Sequence, residues 1–117
     1  MPGKPSLLIE LFSSYMRSKD YLKAQQAATK LYKVDSQKGK YMVWAAAAML
    51  IQARKGMGGA QTLVLAERMT LKALNEKAGH GLAPTGEELR LLVELLQGQS
   101  KHREALEAME KFAAAAP

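Results

Sequence analysis

Few residues of this chain are of a type and spacing that could do chemistry. The first stretch to weigh is Lys55-Gly56-Met57-Gly58-Gly59-Ala60. A loop of the form Arg/Gln-x-x-Gly-x-Gly/Ala grips the pyrophosphate of acetyl-CoA through backbone N–H groups and the N-terminus of the helix that follows. Here Lys55 stands where Arg or Gln belongs, and the run before it is alanine-rich, which predicts helix where that loop needs a feeding strand. The glycines read instead as a helix–helix connection. A phosphate-binding P-loop would end in Gly-Lys-Ser/Thr, and no such ending occurs.

The remaining reactive types are as sparse. There are no cysteines, which removes disulfides, thiolate metal sites and cysteine nucleophiles, and accords with a cytoplasmic setting. His80 and His102 are isolated, without a second ligand one helical turn away. His80 falls in a loop; His102 is expected to pack inside. Glu87 and Glu88 sit where first-turn carboxylates favour a helix N-terminus. The expectation is no catalytic residue, no metal site and no cofactor.

What the sequence does concentrate is positive charge. The net charge is +6, and residues 1–40 hold eight Lys/Arg against three Asp/Glu, whereas the rest hold nine against eight. The candidate partner-binding face is therefore basic: Arg17, Lys19, Lys23, Lys30, Lys33, Lys38 and Lys40. Such a patch draws acidic partners or phosphate backbones. The longest uncharged run, Tyr41 to Ala53, has 13 residues, short of the roughly 20 that a spanning helix needs.

Six helices must position these residues. After a disordered lead over residues 1–5, helical pairs are predicted at about 6–34, 40–77 and 86–115, forming one helical-repeat segment over 6–116. Leu7, Leu8, Leu11, Phe12 and Tyr15 recur at the spacing of one helix face. Asp20 suits the N-cap of the second helix and Ser100 that of the sixth. Trp44 beside Ala45 to Ala48 predicts a third helix buried on most sides. Leu63, Ala66, Met69 or Thr70, Ala73 and Leu74 stripe the fourth, and Thr85 with Glu88 forms a capping box for the fifth. No segment alternates as a half-buried strand would.

The first and last pairs share a layout. Superposing Ala24 on Ala105 aligns Leu8 with Leu89, Leu11 with Leu92, Tyr15 with Leu96, Tyr21 with His102, Ala28 with Met109 and Leu31 with Phe112. Bulky residues on one helix and a small alanine early on the next, where the two cross, is the spacing of a tetratricopeptide repeat. The usual glycine of the first helix is replaced by Phe12 and Val93, so the repeat is degenerate. The predicted fold is all-α: an α-solenoid of about three tetratricopeptide-like pairs. Leu8, Leu11, Tyr15, Ala24, Leu31, Trp44, Leu92, Ala105 and Phe112 are its packing residues, and the first helices of successive pairs line a groove.

Several strings also resemble a known family. They are Gln25-Gln26-Ala27-Ala28-Thr29-Lys30-Leu31-Tyr32-Lys33, Trp44 within Tyr41-Met42-Val43-Trp44-Ala45-Ala46-Ala47, Gly58-Gly59 leading into Leu63-Val64-Leu65-Ala66-Glu67, and Ser100-Lys101-His102-Arg103-Glu104-Ala105-Leu106-Glu107. In order and spacing they resemble the auxiliary subunit of the N-terminal acetyltransferase NatB, from about Leu7 to Glu110. The resemblance implies a non-catalytic helical-repeat subunit that wraps a separate catalytic acetyltransferase and helps place it at the ribosome. There, nascent chains beginning Met-Asp, Met-Glu, Met-Asn or Met-Gln are acetylated, and acetyl-CoA would bind the partner. Members of that family are several times longer, and this stretch resembles an interior portion of them. The rival expectations are a general tetratricopeptide-like protein- or RNA-binding module and a divergent acetyltransferase catalytic fragment.

Overall fold

The computed structural model describes residues 5–35 and 37–115; the side chains of Lys38 and of residues 112–115, Phe112 among them, lie outside the described residues. Six helices follow one another: α1 (Pro5–Arg17), α2 (Tyr21–Val34), α3 (Lys38–Arg54), α4 (Ala60–Gly79), α5 (Gly86–Gly98) and α6 (His102–Ala115). Among the described residues there is no strand.

The helix ends explain why the chain turns where it does. Pro5 opens α1, at the position where its missing N–H costs nothing. α1 closes with Lys19 in the left-handed region at φ 62°, and the Asp20 N–H then reaches back to the Tyr15 carbonyl at 2.9 Å. α5 closes the same way: Ser100 has φ 60°, and the Lys101 N–H meets the Leu96 carbonyl at 2.9 Å. Lys19 and Ser100 superpose in the register that aligns Ala24 with Ala105, so the repeat is written into the backbone as well as the side chains. Gly56 and Gly81 supply the same left-handed residue after α3 and α4, at φ 77° and 74°.

Ser100 therefore does not cap α6. The left-handed turn needs one residue between the helices, and Lys101 behind it takes the first helical N–H, from Ala105 at 3.0 Å. Asp20 holds the matching place before α2, and its carboxylate also accepts the Lys23 N–H at 3.3 Å. The capping box of α5 forms, with Glu88 N–H to Thr85 Oγ1 at 3.1 Å and Thr85 N–H to Glu88 Oε1 at 2.8 Å.

Each helix packs on its neighbours in sequence, and α3 also touches α5. The core is correspondingly divided into overlapping groups. Leu8, Leu31 and Tyr41 join α1, α2 and α3; Ala46, Met49, Leu50, Ala66, Leu91 and Leu95 join α3, α4 and α5; Leu74, Leu92, Leu96 and Ala105 join α4, α5 and α6. Among the described residues no group ties the first helix to the last. The molecule measures 44 × 35 × 20 Å, and its short axis is two helix diameters of about 10 Å. This is a two-layer stack, with α1, α3 and α5 in one layer and α2, α4 and α6 in the other.

α3 is the most enclosed helix, with Tyr41, Met42, Ala45, Ala46, Ala48, Met49 and Leu50 all buried. On α4 the buried member of the ambiguous pair is Thr70, whose hydroxyl donates to the Ala66 carbonyl at 2.9 Å, while Met69 is half-buried.

Candidate partner-binding faces

The layer of α1, α3 and α5 presents the larger hollow. A groove of about 550 Å³ runs between α3 and α5, with Val43, Trp44 and Ala47 on one wall, Glu87 and Leu91 on the other, and Ala73 of α4 below. Trp44 is half-buried. Its ring stacks on Phe12 of α1 at 4.8 Å and 21°, and meets Tyr41 edge-on at 5.2 Å and 84°. Such pairs add about 0.5–1.5 kcal/mol beyond simple burial. The Lys40 ammonium lies 5.1 Å from the Trp44 centroid. Trp44 thus clamps α1 to α3 and also lines the groove, on a helix expected to be buried on most sides.

Two polar contacts frame this layer. Glu88 Oε1 accepts from Lys77 Nζ at 2.6 Å as well as from Thr85. Burial pushes the Glu88 carboxyl upward, but the Lys77 hydrogen bond, the Thr85 backbone N–H and the lysine charge together hold it below its ordinary value. The Tyr41 hydroxyl donates to Asp35 Oδ2 at 2.5 Å. That bond, then burial, then the carboxylate charge raise the Tyr41 pKa.

The basic residues are spread over more than one surface. Lys23, Lys30 and Lys33 follow one another along the outward side of α2, and Arg17 and Lys19 lie at the turn before it; all five are exposed. Lys23 pairs loosely with Asp20 at 3.7 Å. Lys23 and Lys30 edge a small hollow with Leu8, Leu11, Tyr15 and Ala27. Lys40 belongs to the other layer, over Trp44. The Lys38 side chain lies outside the described residues. Of the packing residues, Leu8, Ala24, Leu31, Leu92 and Ala105 are buried, and Leu11, Tyr15 and Trp44 are half-buried.

His102, expected inside, is exposed, because no helix among those described covers that side of α6. His80 is exposed in its loop. The Lys55–Ala60 segment joins one helix to another, and the strand that a pyrophosphate loop requires is not there. Among the described residues no three His, Cys, Asp or Glu side chains are grouped as a metal would need. No described helix is long and apolar enough to cross a membrane.

Sequence reasoning missed two features. One is the Gln52 side chain of α3, which donates to Gln25 Oε1 at 2.7 Å across the α2–α3 contact. The other is a cleft in the second layer, between α2 and α4. Its only trace in the sequence is the alternation of Met69 and Thr70 on the α4 stripe.

Stacked antiparallel pairs whose turns repeat and whose cores overlap define a tetratricopeptide-type helical repeat. The family model described as "Psidin, N-terminal TPR repeats region" matches residues 1–115, and the chain belongs to that family. The chain is 31% identical over 108 residues to the N-terminal acetyltransferase B complex auxiliary subunit NAA25 of Arabidopsis thaliana, covering 92% of this chain and 10% of that protein. It is 34% identical over 112 residues to the phagocyte signaling-impaired protein of Drosophila pseudoobscura pseudoobscura, covering 91% and 11%. It is 31% identical over 107 residues to the N-terminal acetyltransferase B complex subunit NAA25 homolog of Caenorhabditis elegans, covering 89% and 11%. The chain thus spans about a tenth of the length of the relatives it matches. No solved structure matches.

Proposed function

We propose that the chain acts as a non-catalytic scaffold segment in a NatB-type N-terminal acetyltransferase complex of the cytoplasm, holding a catalytic acetyltransferase subunit that binds acetyl-CoA itself. The observation that carries this is the match over nine-tenths of the chain to proteins named as subunits of the N-terminal acetyltransferase B complex, one of them as its auxiliary subunit. The groove between α3 and α5 supports it, since its apolar centre at Trp44 and charged rim of Lys40 and Glu87 have the make-up of a protein-binding surface.

The test is co-expression of the intact chain with the NatB catalytic subunit of the same organism, followed by gel filtration. Co-elution is expected, and Lys40→Glu with Glu87→Lys should weaken it by about tenfold, roughly 1.4 kcal/mol, with the helical circular-dichroism spectrum unchanged. Failure to co-elute would reject the proposal.

A second reading is favoured by the row Lys23, Lys30 and Lys33: contact with ribosomal RNA. Binding to ribosomes should then fall steeply with salt. Reversing Lys19, Lys23, Lys30 and Lys33 to Glu should abolish it, and unchanged affinity would reject the electrostatic contact.

A further inference from the structure

The cleft in the second layer is a distinct surface from the Trp44 groove. It has a volume of about 280 Å³, and its floor is Ala28 of α2 with Met42 and Ala45 of α3, all buried. The two alanines bring the helices together but are too short to fill the space above them. Tyr32 and Met69, both half-buried, form the walls. Leu65 extends the apolar strip one turn back along α4 and is 51% exposed; Leu22 does the same two turns back along α2, at 46%. From Leu65 to Lys72 the strip is about 10 Å long at 1.5 Å per residue, two turns of a helix.

Its rim is of one sign. Arg68 and Lys72 line the cleft, and Lys33 stands one turn beyond Thr29, which lines it too; no carboxylate does. Elsewhere on α3 to α6, Arg54, Lys77, Lys101 and Arg103 each face a carboxylate, at 3.5, 2.6, 3.1 and 3.6 Å, while Lys40 and Arg90 are in no ion pair among the described residues but line no part of this cleft. Among the described residues Arg68, Lys72 and Lys33 are in no ion pair. Of the nearest acids, Asp35 is engaged by Tyr41, Glu67 by Lys101 and Gln99, and Glu76 is exposed one turn past Lys72.

We infer that the α2–α4 cleft is a docking site for an acidic amphipathic helix of another protein. Apolar anchors one and two turns apart enter over Ala28 and Ala45, and flanking Asp or Glu residues meet Arg68, Lys72 and Lys33. An apolar floor selects side chains of Leu or Met size, and the unpaired cations select against basic segments. This surface lies outside the groove assigned above to the catalytic subunit, so loss of either site leaves the other measurable.

The experiment is fluorescence anisotropy on the intact chain with a labelled helical peptide of about 14 residues, carrying Leu at i, i+4 and i+7 and Glu at its flanks. Binding is expected, and Arg68→Glu with Lys72→Glu should weaken it by at least about tenfold. Both residues are exposed, so the fold should persist. Lys19→Glu with Lys23→Glu, on the far side of α2, should change it less than about twofold. The methyl resonances of Met42 and Met69 should move on titration. The inference is overturned by no binding, by equal affinity for a peptide with Ser in place of Leu, by equal affinity for oligo(A) RNA of about 20 nucleotides, or by shifts that spare Met42 and Met69.

Discussion

Helices α2 and α6 hold the same place in the first and last pairs, yet one is covered and the other is open. Ala28 is 0% exposed beneath α3, whereas Met109, its counterpart on α6, is 37% exposed. Gln25 is half-buried against Gln52, while its counterpart Leu106 is 54% exposed. Tyr21 is half-buried with the Lys55 ammonium 5.8 Å from its ring, and its counterpart His102 is exposed. The covered helix carries the glutamine and the open helix carries the leucine. Burial in this fold is therefore set by the next helix in the stack and not by residue type, as expected where each unit is completed by its neighbour.

Substitutions that treat the two helices alike should expose the difference. The largest effect is expected for Leu31→Ala on α2 against Leu106→Ala on α6, since Leu31 is fully enclosed between α1 and α3. The first should cost about 3 kcal/mol in urea unfolding, and the second less than about 0.5 kcal/mol. Equal losses would mean that α6 is covered in solution.

Next comes enlargement of an enclosed position. Ala24→Met on α2, at a site that is 0% exposed and outside the cleft, should cost about 1–3 kcal/mol by overpacking, whereas Met109→Ala on α6 should stay within about 0.5 kcal/mol. The glutamine pair gives a smaller effect. Gln52→Ala should cost about 1 kcal/mol by leaving the Gln25 amide oxygen without its donor. Replacing Gln25 and Gln52 together by Leu should be nearly neutral, giving α2 the apolar character that α6 already has at Leu106.

The smallest effects are in pH dependence, and they divide the stack at its two junctions. The folded pKa of Glu88 lies below its ordinary 4.5, so its contribution is present above that value and is lost as pH falls through the folded pKa. The folded pKa of Tyr41 lies above 10.0, so its contribution is present below that value and is lost as pH rises through the folded pKa. Glu88→Gln should flatten the acid limb of a stability–pH curve and Tyr41→Phe the alkaline limb. A single variant that flattens both would dissolve the distinction.

Much of this fold is legible in the residues because its interactions are short in sequence. The six helices, the Asp20 cap, the Thr85–Glu88 box and the register of Ala24 on Ala105 depend on neighbours within one pair. What escaped depends on the next pair or on backbone geometry. Ser100 has good capping chemistry, but a left-handed turn took precedence. His102 looked internal by analogy with Tyr21, and only the helix above decides that. The candidate faces were legible in charge but not in place: Lys40 and Lys33 are seven residues apart on α3 and α2 yet serve different layers. The α2–α4 cleft joins residues some forty positions apart, such as Thr29 and Met69, and no local pattern announces such a meeting.

The overlapping core groups have a mechanical consequence. Among the described residues no side-chain cluster bridges α1 to α6, so tension along the stack meets no clasp between them, and resistance is borne one helix pair at a time. A stack built this way should stretch like a spring, each pair yielding in its turn.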